Sequence, residues 1–158
     1  MRLGITGHRG LSAKVEAQVR AELAKVVDAY DAEDLVAISC ISDGPDVWFA
    51  QAVLDHGGRL EAVIPAAEYR ENLPAWHYPV YDELMARAVD VHHTGMKEST
   101  SQAHQAGSEI VVGLADQLIA VWDGRPARGY GGTADVVAYA HSVGLPIRVI
   151  WPHGATRD

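Results

Sequence analysis

Short apolar runs alternate with longer stretches of helical periodicity from one end of the chain to the other. Residues 2–6 form a β-rich run closed by Gly7. Ser12 is placed to cap a helix over 13–30, in which Val15, Val19, Leu23, Val26 and Val27 recur at helical spacing. Residues 35–41 read as a buried strand, broken by Ser42-Asp43-Gly44-Pro45, and a helix runs from Asp46 to residue 56. Gly57 and Gly58 end it ahead of a strand at 59–64, which Pro65 stops. Residues 66–75 fit both a short helix and a loop, 80–88 read as helix, and 89–93 as a short fourth strand. A helix rich in small residues follows at 101–115, then an apolar strand at 117–122 and a loop at 124–132 bearing glycine and arginine. A helix over 133–143, closed by Gly144, and a last strand at 147–151 complete the series.

Strands alternating with helices predict an α/β fold, a Rossmann-like three-layer sandwich on a mainly parallel sheet. Runs such as LIAVW, apolar without alternation, suit strands covered on both faces. With no repeat or linker, the expectation is a single domain over 1–152 and a polar C-terminal tail at 153–158. In such sheets ligands sit at the carboxyl ends of the strands, near the point where strand order reverses. The loops after the strands are therefore where chemistry is expected.

Composition narrows the partners. A 158-residue chain with 48% hydrophobic and 22% charged residues is that of a globular domain, not a disordered one. The net charge of −8 argues against duplex DNA as a partner, because phosphate neutralisation needs a basic face. It leaves room for a small anionic ligand, which needs only local donors. The single cysteine, Cys40, cannot form an internal disulfide and is expected to pack in the core. No run approaches the roughly 18 apolar residues of a membrane span, and no signal peptide is evident, so a cytoplasmic location without membrane partners is expected. The histidines form no HxxxH or HExxH pattern, and His92 and His93, adjacent on a strand, point to opposite faces. Neither a metal centre nor a cofactor is expected.

The loop WDGRPARGYGGTADVV is the most informative. Gly129, Gly131 and Gly132 precede a helix starting near Thr133, whose unpaired amides and partial positive charge suit a phosphate. Arg125 and Arg128 can supply further donors, with Gly124 opening the loop. The alternative is a flexible loop ending in a threonine cap. In Gly7-His8-Arg9-Gly10 the glycines allow a tight turn, and Arg9 can clamp phosphate or carboxylate; His8 contacts the ligand or satisfies a backbone carbonyl. After the second strand, Asp43, beside Gly44, can accept ribose hydroxyls, while Asp46 serves equally well as a helix cap. Asp123 at the end of LIAVW either holds a ligand or makes an Asx turn into Gly124. There is no P-loop lysine, no GxGxxG after the first strand and no GxSxG elbow.

ITGHRG, ISDGPDVWFAQAVLDHG and ADQLIAVWDGRPARGYGGTADVVAYAHSVGLPIRVI together resemble the SLOG superfamily, which includes the DprA-like and LOG-like Rossmannoid domains. Bacterial members often read GADR where this chain has Gly44-Pro45-Asp46-Val47, and WDGxPARGxGGTAEVVxYA over residues 122–140. The resemblance implies a SLOG/LOG-like Rossmannoid domain over 1–152, a nucleotide-derived ligand between the glycine loops, and a homodimer with the 101–115 helix at its interface. Ala103, Ala106 and Gly107 would leave room there for a flat base or a second subunit's helix. Some relatives sense nucleotides, whereas LOG-type enzymes hydrolyse the N-glycosidic bond of nucleoside monophosphates. A parallel likeness runs to the nucleoside deoxyribosyltransferases.

LOG-type enzymes place a glutamate three residues after the loop threonine and an Arg-Lys pair on the preceding helix. Here those positions hold Val136, and Gly107 with Ser108. Asp135 comes one residue early, a rotation of about 100° on a helix. The leading expectation is therefore a sensor or carrier of a phosphorylated nucleoside. Gly131, Gly132 and Thr133 hold phosphate, Arg9 with Arg125 or Arg128 neutralises it, and Asp43 or Asp123 holds ribose. The alternative is an N-glycosidic hydrolase or transferase in which Asp123 or Asp135 replaces the missing glutamate. A partner-binding scaffold with a vestigial pocket is the third.

Overall fold

In the computed structural model, which describes residues 1–127 and 129–157, the alternating pattern folds as six strands and five α-helices. The strands are β1 (Arg2–Gly7), β2 (Val36–Ser39), β3 (Arg59–Ile64), β4 (Asp90–His93), β5 (Gln117–Val121) and β6 (Ile147–Ile150). They lie in the order β4-β3-β2-β1-β5-β6, and every neighbouring pair is parallel. The helices are α1 (Ala13–Asp28), α2 (Pro45–Asp55), α3 (Tyr78–Arg87), α4 (Ser101–Leu114) and α5 (Thr133–Ser142). This is the expected three-layer Rossmann-like sandwich, with a wholly parallel sheet. Ser12 caps α1 by accepting from the Val15 amide at 3.3 Å, and Thr100 caps α4 through the Ala103 amide at 3.1 Å. The ambiguous stretch at 66–75 contains a 3-10 turn, Arg70–Asn72, and a second turn, Ala75–His77, leads into α3.

β2 is buried at every position, so both faces of the sheet are covered. On one side Val19, Leu23, Phe49, Val53 and Leu84 bring α1, α2 and α3 onto it. On the other, Val111, Val112, Val136 and Ala140 pack α4 and α5 against Val36, Ile38, Val63 and Leu118. The small residues of α4 serve this packing. A Cβ on Gly107 would stand 2.9 Å from Pro65 Cγ, and one on Gly4 would stand 2.8 Å from Val111 Cγ1. Gly107 and Ala103 are buried beneath the helix rather than left open for a base or a second subunit. The position where LOG-type enzymes carry arginine is thus filled by a neighbouring proline. Among the described residues no helix is long and apolar enough to cross a membrane.

At the amino ends of the strands, Arg2 grips Glu61 with two bonds of 2.7 and 2.9 Å, and His92 Nε2 adds a third at 2.9 Å. Asp90 and His92 bring their ligand-type atoms within 4.8 Å of Glu61, but the guanidinium already spans both Glu61 oxygens. The bonds from Arg2 pull the Glu61 carboxyl down to about 2, against the usual 4.5. A folded-state value below the unfolded one adds stability that is present above pH 4.5 and lost as pH falls toward 2. Glu61→Gln is therefore expected to cost about 2 kcal/mol at pH 7, discounted because the Arg2 side chain is 35% exposed. Urea titrations at pH 7 and pH 3 check this: the gap between the two proteins should narrow at the lower pH.

Candidate functional site

The strand order reverses between β1 and β5, and there, at the carboxyl ends, the fold opens a cleft of about 430 Å³. That volume lies in the range of small-molecule sites. The loops after β1, β2, β3 and β5 and the start of α4 all contribute to its wall.

Gly7 ends β1, where a Cβ would stand 2.8 Å from two Pro45 atoms and 2.9 Å from Val121. It serves close packing and not the turn that the sequence suggested; Gly10, at φ +70°, makes the turn. His8 is buried against the edge of Trp151. Its Nε2 lies 3.1 Å from the Asp123 amide and 3.2 Å from Asp123 Oδ1. Arg9 clamps a carboxylate as expected, but the protein's own: Nε and Nη2 reach Asp43 Oδ1 at 3.0 and 2.6 Å. Arg9 still lines the cleft, whereas Asp43 and Gly44 do not.

After β2 the backbone is strained. Ile41 holds φ 56°, a left-handed conformation unusual for a β-branched residue and costing about 1–3 kcal/mol. Its fully buried side chain and the bond from its carbonyl to His77 Nε2, 3.0 Å, keep it there. The strained turn aims Ser42 at the first turn of α2. Ser42 donates to Asp46 Oδ2 from its hydroxyl at 2.9 Å and from its amide at 3.4 Å. Asp46 is 8% exposed and lines the cleft. Burial pushes its carboxyl up to about 6, against the ordinary 3.8, with the Ser42 bonds and the Arg9 charge opposing. Cys40 is half-buried on the cleft wall, and burial raises its thiol well above the ordinary range, so it carries little thiolate.

The glycine loop reaches the cleft at Gly129, Gly131, Gly132 and Thr133. Gly131, at φ +85°, sits against α4, where a Cβ would stand 2.8 Å from the Ser101 carbonyl. Two of its amides are already engaged: Gly131 N–H donates to Asp135 Oδ2 at 2.9 Å, and Gly132 N–H to the Gly129 carbonyl at 3.3 Å. The anion seat expected over residues 131–133 is therefore partly filled by the helix's own carboxylate. The amides of Thr133 and Ala134, in the first turn of α5, have no hydrogen-bond partner among the described residues. The Thr133 side chain is buried and lines the cleft.

Asp123 ends up behind the cleft wall. Oδ1 accepts from the Arg125 amide at 2.9 Å, and Oδ2 faces Arg157 Nε at 3.1 Å. Gly124 and Arg125 lie outside the cleft lining, and Arg128 lies outside the described residues. Val136, at the position of the LOG-type glutamate, is a core residue 2% exposed. Residues 153–157, expected as a tail, fold back on the sheet edge: Ala155 O accepts from Trp151 Nε1 at 3.2 Å, and Arg157 joins the cleft wall. Sequence reasoning missed Arg157, Tyr69, Asn72, Ser99 and His104 as cleft residues. Asp46, weighed from the sequence as ligand contact or helix cap, does line the cleft.

No protein-family profile and no curated protein sequence matches the chain. Solved structures do. DNA processing protein A (DprA) from Streptococcus pneumoniae superposes with a TM-score of 0.67 at 19% identity, over 94% of this chain and 49% of that one. A DprA structure from Helicobacter pylori, described for its single-stranded DNA binding mode, gives 0.70 at 14% identity over 99% and 68%. The protein TM1055 gives 0.59 at 16% identity over 92% and 71%. The chain thus spans about half the length of the Streptococcus protein. The sequence-based exclusion of duplex nucleic acid is corrected in its reasoning: the Helicobacter protein is described as binding single-stranded DNA, so a negative net charge does not exclude nucleic acid for this fold. Net charge describes the whole surface, whereas a nucleic-acid groove needs only a local positive potential. By its topology and these superpositions, the chain has the Rossmann-like fold seen in the DprA and TM1055 structures.

Proposed function

We propose that the cleft binds a phosphorylated nucleoside or nucleotide-derived ligand and that the protein acts as its sensor or carrier. The observation that carries this is the pair of unpartnered amides, Thr133 and Ala134, at the start of α5, with the Thr133 side chain in the cleft wall. A helix N-terminus attracts phosphate through such amides and its partial positive charge. Because Asp135 holds the Gly131 amide, the phosphate sits on the first turn of α5 rather than deep in the glycine loop. Arg9, on the cleft wall, supplies the counter-charge.

Turnover has weaker support. Asp123 is turned to His8 and Arg157, and Asp135 to Gly131, so neither carboxylate is available to an oxocarbenium-like centre. Nucleoside monophosphates are expected to bind without releasing free base.

Thr133→Val keeps the side chain's shape and removes its hydroxyl. It is expected to weaken nucleoside monophosphate binding about tenfold in isothermal titration calorimetry, with the fold unchanged by circular dichroism. Unchanged affinity would take the Thr133 hydroxyl out of the phosphate site, and no binding of any nucleoside monophosphate would remove the assignment. The Helicobacter likeness favours a second occupant, single-stranded nucleic acid. A fluorescent single-stranded oligonucleotide that binds where mononucleotides do not would move the function there.

A further inference from the structure

The wall of the cleft opposite in sequence to the α5 loop carries a group that phosphate binding leaves unused. Asp46 is more than nine-tenths buried and lines the cleft. Its Oδ2 takes both bonds from Ser42, while Oδ1 has no hydrogen-bond partner among the described residues. That oxygen is not sealed in the core but open to the cleft. The strained Ile41 turn holds the loop in this arrangement. Around it the cleft is lined by Ile5, Pro65, Leu73 and the buried Tyr69 ring. These flat and apolar surfaces suit the faces of a nucleobase, and one acceptor suits its edge.

We propose that Asp46 reads the base. Its open Oδ1 accepts a hydrogen bond from the exocyclic amino group of adenine or cytosine, so the cleft takes amino-bearing nucleotides over their oxo counterparts. This rests on the nucleotide assignment above and gives that site a substrate class. An exocyclic amino group donates to the carboxylate, whereas an oxo group in the same place sets lone pair against lone pair, and the oxo base could pair only by shifting to present its ring N–H. Sites built to hydrogen-bond a polar group reject analogues lacking it far more strongly than apolar pockets reject a change of size. Among the described residues, Asp46 is the one carboxylate that lines the cleft. Cys40 at the end of β2 and the Tyr69 hydroxyl after β3 both stay protonated, because burial raises each well above its ordinary value. His104 on α4 has its pKa lowered, chiefly by burial. The nearby charges are Arg9 and Asp43, which pair with each other.

Calorimetric titration of the full chain with AMP, IMP, CMP and UMP tests this, since each pair exchanges an exocyclic amino group for an oxo group and the neighbouring ring nitrogen for N–H. At pH 8 the protein is expected to bind AMP over IMP, and CMP over UMP, by at least tenfold. The AMP:IMP ratio should shrink at pH 5, where the Asp46 carboxyl holds a proton and can donate instead. Asp46→Asn, which offers donor or acceptor by turning its amide, should bind both members of each pair within about twofold and show no change of ratio between pH 5 and pH 8. Equal affinity within the pairs for the unaltered protein, or a preference that survives in Asp46→Asn, overturns the assignment to Asp46 while leaving nucleotide binding intact. No binding of any of the four nucleotides overturns the nucleotide cleft and this proposal together.

Discussion

Asp46→Asn is expected to stabilise the protein by about 2–3 kcal/mol at pH 8 and to change its stability little at pH 4. Burial holds the Asp46 carboxyl at about 6 in the folded chain, against 3.8 when exposed. The folded state thus binds this proton more tightly than the unfolded state does. Stability linked to Asp46 is fully present below pH 3.8 and is lost as pH rises through 6. At 1.36 kcal/mol per pH unit that loss approaches about 3 kcal/mol, a large share of a domain's roughly 5–15 kcal/mol. Asparagine has no charge to desolvate and can still accept from Ser42. Urea titrations at pH 4, 5, 6 and 8 should show the two proteins diverging between pH 4 and 6 and then running parallel. A difference that is flat across this range would show that Asp46 ionises without penalty, and that its burial is not what raises its pKa. A residue that weakens the fold while facing the cleft is what a ligand-contacting role leads one to expect, since sites often carry stability costs that neutral substitutions relieve.

Gly7→Val is expected to cost about 3 kcal/mol or more, lowering the melting temperature by roughly 10 °C for a domain of this size. The first added carbon alone would stand 2.8 Å from Pro45 Cβ and Cγ and 2.9 Å from Val121 Cβ. These atoms belong to a proline ring and a β-branched side chain, neither of which can swing aside. Relief requires α2 to move off β1, and that movement carries Asp46 with it, so ligand affinity should fall along with stability. Gly10→Ala is the contrast. Gly10 has φ +70° but nothing within 4 Å of its would-be Cβ, so the expected cost is about 1–2 kcal/mol of left-handed strain alone. Thermal melts of the two variants separate the effects; equal losses would mean that the α2–β1 contact is soft.

The elements were legible because hydrophobic periodicity is a local signal. Val15, Val19, Leu23, Val26 and Val27 at helical spacing do face the core together, and the mostly apolar runs of β2 and β5 are strands covered on both sides. The candidate loops were legible for a related reason: glycine, proline and aspartate end strands in ways that sequence shows, and a parallel sheet collects those ends at one edge. The order of the strands was less accessible. The 66–75 segment was ambiguous because Pro65 and Pro74 bracket a stretch too short to carry a period, and it folds around a 3-10 turn.

The roles of the charged residues divide along the same line. From its sequence alone the protein is an α/β chain whose strand-end loops carry Arg9, Asp43, Asp46, Asp123 and the glycines before Thr133, since identity and spacing are properties of the chain. Which of these groups faces a ligand was decided only by the tertiary structure. Asp123 meets His8 and Arg157, Asp43 meets Arg9, and Asp135 turns back on Gly131, leaving Asp46 with an open oxygen. Electrostatic and hydrogen-bond partners are selected by distance in space, which falls within a few ångströms between residues up to 149 positions apart in the chain.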